Sequence, residues 1–177
     1  VETEDGRVFK GTHILVAVGR KANTAGLDLE KAGIKTTRTG IEVDASMRTS
    51  NKKVYAIGDV AGGLQFTHVA GYHAGVIIRS MLFGLPSKAT TRHIPWATYT
   101  QPELSQVGLT EAQARKEHGT NLEVVRFHYS HNDRAIAERK TRGLIKVMVV
   151  KGRPVGASIA GEQAGELINL WALVIAN

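Results

Sequence analysis

A chain of 177 residues, 42% hydrophobic and 22% charged, has the composition of one or two globular domains, and apolar residues spread along its whole length exclude disorder. It has no cysteine, so it carries no disulfide, no cysteine-ligated zinc and no thiol nucleophile. The net charge is +7, but the basic residues are scattered and no basic run is interleaved with stacking aromatics, which argues against nucleic-acid binding.

Glu4-Asp5-Gly6-Arg7 has turn chemistry between extended residues. His13 to Val18 is a continuous apolar run ending at Gly19, as expected of a central strand buried on both faces. A short helical turn is expected from Gly26 to Gly33, an edge strand at Ile41 to Val43, and a second continuous apolar strand from Val54 to Ile57 that ends at Gly58-Asp59. After the flexible pair Gly62-Gly63, His68 to Phe83 predicts a helix closed by Gly84 and Pro86. Ser87 to Arg92 is polar and linker-like.

The pattern then changes. Trp96–Thr100, Leu104–Leu109, Leu122–Tyr129, Leu144–Val150 and Val155–Ala160 all predict strands. Thr110 and Gln113 have capping-box spacing for a short helix. Lys151-Gly152-Arg153-Pro154 is a hairpin turn, and the chain is helical from Gly161 to its end. Strands joined by tight turns, with helices to one side, indicate an antiparallel α+β layer. No apolar run reaches the ~20 residues that cross a bilayer. The charged opening lacks the features of a signal peptide. Starting at Val1 and stopping at Asn177 within an apolar run, the sequence reads as an excerpt.

Chemistry concentrates around Asp59. A buried strand would deliver this carboxylate beside Gly58, which lets a ligand approach the backbone, so Asp59 can accept hydrogen bonds from sugar or polyol hydroxyls. It could equally cap the next turn. Gln65-Phe66-Thr67-His68 precedes the long helix, whose free N-terminal amides favour negative charge, with Thr67 also suited to be an ordinary N-cap. His68 and His73 stand five apart, poor spacing for a shared metal. His128 and His131 are expected to be exposed, and Glu162 and Glu166 to share a helix face as a solvated or subunit-facing pair. The stripe Leu167, Leu170, Trp171, Val174 is core or dimer surface.

Several of these segments, in this order, resemble a known family. Ile14-Leu15-Val16-Ala17-Val18-Gly19-Arg20 with Asn23-Thr24 is similar to the end of its nucleotide-binding insert. Tyr55-Ala56-Ile57-Gly58-Asp59 is similar to its second flavin motif. Trp96 to Glu111 resembles the opening of its dimerisation domain, and Gly161 to Ile168 a helix start in that domain. The family is the class I pyridine nucleotide–disulfide oxidoreductases, which includes dihydrolipoamide dehydrogenase, glutathione reductase and mercuric reductase. The resemblance covers nearly the whole chain.

The resemblance implies a partial α/β Rossmann-like FAD/NAD(P)-binding domain followed by an α+β dimerisation domain with an antiparallel sheet. Residues 1–21 would end the NAD(P)-binding domain, 22–88 would form the C-terminal part of the FAD-binding domain, and 89–177 would be a dimerisation domain truncated at its C-terminus. It implies FAD and NAD(P) as cofactors. Asp59, beside Gly58, would bind FAD hydroxyls, and the backbone of Gln65, Phe66, Thr67 and His68 would lie against the isoalloxazine. Gly19 would line the NAD(P) site, and Arg20 and Asn23 would hold the domain junction, although Arg20 also suits an ordinary surface cation. Ala22 and Lys52 stand where the family often has Pro. The family's redox cysteines and catalytic His-Glu pair match nothing here, so no residue is assigned as nucleophile or general base. A homodimer formed through residues after about 93, a small thiol, disulfide or metal-ion substrate, and a cytoplasmic location are expected. A catalytically inert dimerisation module is the competing expectation for the fragment on its own. The sequence Phe66-Thr67-His68-Val69-Ala70-Gly71-Tyr72-His73 leans toward the mercuric-reductase-like or dihydrolipoamide-dehydrogenase-like members.

Overall fold

Runs rich in apolar and β-branched residues after Trp96 form strands, and a single antiparallel sheet results. In a computed structural model describing residues 1–177, five strands pair in the order β3-β4-β7-β6-β5. These are β3 (Trp96–Thr98), β4 (Glu103–Gly108), β5 (Leu122–His128), β6 (Leu144–Val150) and β7 (Arg153–Gly161). Lys151 and Gly152 form the two-residue turn between β6 and β7, both at positive φ, the backbone a tight hairpin requires. All five expected strands are therefore present, and none of their ends is displaced by more than two residues.

Helix α4 (Ala164–Ala176) lies on the face that carries Val107, Val147, Ala157 and Ile159, and with Ala164 and Ile168 these make the larger core. Polar contacts seat its first turn: the Gly165 amide donates to Glu103 Oε2 at 2.9 Å and Ser105 Oγ donates to the Ala164 carbonyl at 2.7 Å. The buried stripe of α4 runs through Ala164, Ile168 and the partly buried Trp171 and Ile175. Of the stripe expected to be core or dimer surface, only Trp171 packs inward, while Leu167, Leu170 and Val174 are exposed in the single chain. Glu162 precedes α4 and pairs with Lys140 at 2.6 Å, so it shares no helix face with Glu166.

The opposite sheet face carries a polar rung. Gln106, Ser158, Lys146 and Arg126 stand in register across β4, β7, β6 and β5. Helix α2 (Glu111–His118) sits over this rung, started by the expected capping box of Thr110 and Gln113. Its Glu111 receives Arg115 at 2.6 Å and both Arg126 and Lys146 at 3.0 Å. The Arg115 hydrogen bond, followed by the Lys146 contact, lowers the Glu111 pKa to about 2. One carboxylate therefore ties α2 to two strands. A short helix α3 (Asp133–Ala137), capped by the Asn132 side chain, follows β5.

The first ninety residues fold differently from expectation. His13 to Val18 is no buried strand: Leu15 is 90% and Val18 93% exposed, and no segment of the chain pairs with the run. An apolar run becomes a central strand only when neighbours take its amides and carbonyls, and these residues supply none. The turn at Glu4–Arg7 does form, closed by a bridge between Glu2 and Val8. The helical turn expected within residues 26–33 is present from Asp28, whose carbonyl takes the amides of Lys31 and Ala32, and Gly33 ends it at φ 68°. The edge strand near Ile41 is short: β1 (Thr36–Thr37) pairs antiparallel with β2 (Gly40–Ile41).

Val54 to Ile57 is likewise not a full strand. It forms one leg of an irregular hairpin, with Thr49 N donating to the Val54 carbonyl, Arg48 bridging Tyr55, and Ala56 N donating to the Met47 carbonyl. Across the hairpin it faces Met47–Thr49, and the Val54 amide closes the turn on the Asn51 carbonyl at 2.9 Å. A small core of Ile34, Ile41 and Ala56 lies beneath. Helix α1 (Thr67–Phe83) is present as expected and ends at Gly84 in the left-handed conformation. No helix of the chain is long and apolar enough to cross a membrane.

Two outcomes test this account. Ile168→Ala removes a fully buried side chain from the larger core and should lower unfolding free energy by about 2–5 kcal/mol, read from urea melts. The lowered Glu111 pKa gives stability that is complete above the ordinary carboxylate range and lost as pH falls toward about 2. Glu111→Gln should flatten that part of the acid-unfolding curve relative to wild type.

Candidate functional site

The site is built where the hairpin leg meets α1. After Ile57 the chain turns through a 3-10 segment, Gly58–Ala61, which starts with Gly58 at φ 68°. Glycine is required there twice over. L side chains rarely adopt that φ, and a Cβ on Gly58 would stand 3.0 Å from the Ala70 Cβ of α1. Gly40 is under similar constraint, since its Cβ would fall 2.2 Å from the Val60 carbonyl oxygen. The segment is therefore held between β2 and α1.

Asp59 extends from this segment with its side chain half exposed. Arg20 reaches it from outside the hairpin: one guanidinium nitrogen lies 4.0 Å from Asp59 Oδ2, and the other donates to the Gln65 carbonyl at 2.5 Å. A single guanidinium thus spans two of the expected site residues. Exposed pairs of this length contribute little to stability, so its role is placement.

Phe66 is the N-cap of α1, with extended backbone and no side-chain cap. Thr67 is the first helical residue, so its expected role as an N-cap is not realised. The Phe66 carbonyl takes the amides of Val69 and Ala70, while no carbonyl of the chain takes those of Thr67 and His68. The first turn also carries no acidic residue. Two amide donors and an uncompensated positive helix end consequently face outward. His68 stacks on Phe66 at 5.4 Å between ring centroids, and its Nε2 lies 2.9 Å from the Pro95 carbonyl. A carbonyl only accepts, so Nε2 carries the proton, and the bond fastens the start of α1 to the segment leading into β3.

The structure brings Gly58, Asp59, Gln65, Phe66, Thr67 and His68 to one rim. Gly19 is not gathered with them: it lies in the exposed stretch, and a Cβ built on it meets nothing within 4 Å. Arg20, expected to hold a domain junction or to be a surface cation, makes a bridge to Asp59 and Gln65, and His73 is a contributor that sequence reasoning missed. His73 is buried on the inward face of α1, and its Nδ1 accepts the Gly58 amide at 3.2 Å. Its place in the stripe Val69, His73, Val76 was the available signal, because a histidine on a buried helix face needs a polar partner. Burial depresses its pKa. His128 and His131 are exposed, as expected.

Residues 1–74 match the family model "Pyridine nucleotide-disulphide oxidoreductase", and residues 94–177 match its "dimerisation domain". The chain belongs to the pyridine nucleotide–disulphide oxidoreductase family, in the class that holds dihydrolipoyl dehydrogenase and mercuric reductase. It is 37% identical to a dihydrolipoyl dehydrogenase of Bacillus subtilis (strain 168) over 94% of this chain and 36% of that protein. It is also 37% identical to a mercuric reductase of Staphylococcus aureus over 96% of this chain and 31% of that protein. The chain thus spans about a third of the length of these relatives.

Among solved structures, LpdA from Mycobacterium tuberculosis superposes with a TM-score of 0.88 at 27% identity, covering 99% of this chain and 39% of the other. The Cu(II) complex of the HOCl-induced flavoprotein disulfide reductase RclA from Escherichia coli gives a TM-score of 0.79 at 34% identity, covering 90% and 37%.

Gly58→Ala should destabilise the first part of the chain by about 1–3 kcal/mol, through the left-handed backbone and the Ala70 contact. Amide hydrogen exchange of residues 54–61, compared with wild type under the same conditions, measures this. No change would show that the segment repacks without cost.

Proposed function

We propose that this chain forms part of a flavoenzyme that passes electrons between NAD(P)H and a disulfide, a dithiol or a related thiol-reactive or metal-ion substrate, with FAD and NAD(P) as cofactors. In this reading residues 1–21 end the NAD(P)-binding domain, and Gly19 lines the nicotinamide nucleotide. Residues 22–88 belong to the FAD-binding domain and residues 89–177 to the dimerisation domain. A homodimer forms through residues after about 93, and the cytoplasmic location expected from the sequence is retained.

One observation carries the proposal: Asp59 and the uncapped start of α1 share a rim, linked through Arg20 and the Gln65 carbonyl. The residues present fit a flavin. Asp59 is an acceptor for sugar or ribityl hydroxyls. The Thr67 and His68 amides are donors without acceptors in the chain, at a helix end bare of carboxylates, and suit a ring edge that gains negative charge. FAD, when bound, supplies the two-electron relay between nicotinamide and sulfur. The chain's own residues bind it, orient it and favour its electron-rich form. For disulfide reduction, NAD(P)H and one proton convert the disulfide to two thiols and release NAD(P)+.

A second reading applies to the 177 residues on their own: a dimerisation module without activity. It is favoured by the contrast between the eight buried residues of the sheet core and the three of the first part. Flavin absorbance in the purified chain separates the two. A yellow chain supports cofactor binding by these residues, and a colourless dimer supports the module.

In the intact protein carrying this chain, Asp59→Ala should lower bound flavin by about tenfold or more at equal protein concentration, since a hydrogen-bonded carboxylate is lost. Absorbance ratios after gel filtration measure it. Undiminished flavin in this variant would remove Asp59 from the site.

A further inference from the structure

We propose that His73 is a positioning residue for the flavin site: by accepting the Gly58 amide it sets where Asp59 stands relative to the N-terminus of α1. The inference rests on the flavin reading above and adds a residue which that reading does not use.

His73 is 6% exposed and lies on the buried stripe of α1 with Val69 and Val76. An amide only donates, so the Gly58 bond at 3.2 Å requires an unprotonated Nδ1 and places the ring proton on Nε2. Three residues earlier on the same helix, Ala70 closes on Gly58 so tightly that a Cβ there would be 3.0 Å away. The helix thus meets Gly58 at two points, Ala70 and His73, about one turn apart. Two such contacts fix both the distance and the tilt of the segment that carries Asp59. The free amides of Thr67 and His68 belong to this same helix, so the two halves of the site are referenced to one rigid element. Without the acceptor, a buried amide is left unpaired and the segment is free to pivot.

A second proton on the imidazole would convert Nδ1 from acceptor to donor and break the Gly58 bond. Burial opposes that protonation. Tyr72 lies beside the ring on α1, with His93 packed against Tyr72 from the linker side. The segment that His73 meets carries Asp59, itself beside Arg20. Because the folded pKa is depressed, the bond is intact above the ordinary histidine range and is lost as pH falls through the lowered value.

The test uses the intact protein carrying this chain, stripped of flavin and titrated with FAD by fluorescence quenching from neutral to acid pH. Wild type should bind FAD with an affinity that falls on the acid side. His73→Leu should bind about tenfold or more weakly at neutral pH. His73→Asn, whose Oδ1 replaces Nδ1 as a non-titrating acceptor, should recover most of the affinity and lose the acid limb. Imidazole nitrogen chemical shifts of the flavin-free protein should report the Nε2–H tautomer, and this readout stands even where His73→Leu fails to fold. An acid limb unchanged in His73→Asn, wild-type affinity in His73→Leu, or an Nδ1–H tautomer would each overturn the proposal. Wild type that binds no FAD at any pH, with the Nε2–H tautomer present, would overturn the flavin reading itself.

Discussion

Every amide and carbonyl placed in a strand needs a partner, and in this chain the supply of backbone partners decides what folds. After Trp96 the supply is complete across a five-stranded ladder, in which β4, β7 and β6 each have neighbours on both sides. That closure permits a dry face under α4 and a polar face under α2. Before residue 90 the supply is short. The apolar run ending at Val18 has no neighbour, and the leg ending at Ile57 has one. The same kind of sequence, apolar and rich in β-branched residues, therefore ends in opposite states in the two halves.

Where the ladder fails, side chains and glycines take over. Gly40, Gly58 and Gly62 permit close approach between β2, the 3-10 segment and α1 or the Thr39 side chain. Arg20 and His73 then add directional contacts, one from an exposed guanidinium and one from a buried imidazole. The two differ in weight. The guanidinium works in water and mainly orients, whereas the imidazole bond lies inside the packing, where an unpaired amide is costly.

The two parts also touch along α1. Thr90 N donates to the Tyr72 hydroxyl at 3.0 Å, His93 packs edge-on against the Tyr72 ring, and His68 holds the Pro95 carbonyl. Helix α1 consequently does three things: it closes on the Asp59 segment, presents free amides, and carries the segment that enters the sheet. A shift of α1 would be felt at all three places.

Much of this was legible in local sequence. The strand runs after Trp96, the Thr110–Gln113 capping box, the Lys151-Gly152 turn and the Gly84 helix stop all depend on short-range chemistry and could be read from neighbouring residues. The resemblance of Tyr55 to Asp59 and of Trp96 to Glu111 to known motifs likewise needed only residue order. Tertiary structure alone decided the fate of His13 to Val18 and Val54 to Ile57, because strand formation depends on neighbours that a run of residues does not itself encode. It also decided which stripe of α4 is buried, since helical periodicity leaves the facing direction open by a residue or two. Pairing Arg20 with Gln65 and His73 with Gly58 required contacts 45 and 15 residues apart, and such contacts exist only once the chain has closed on itself.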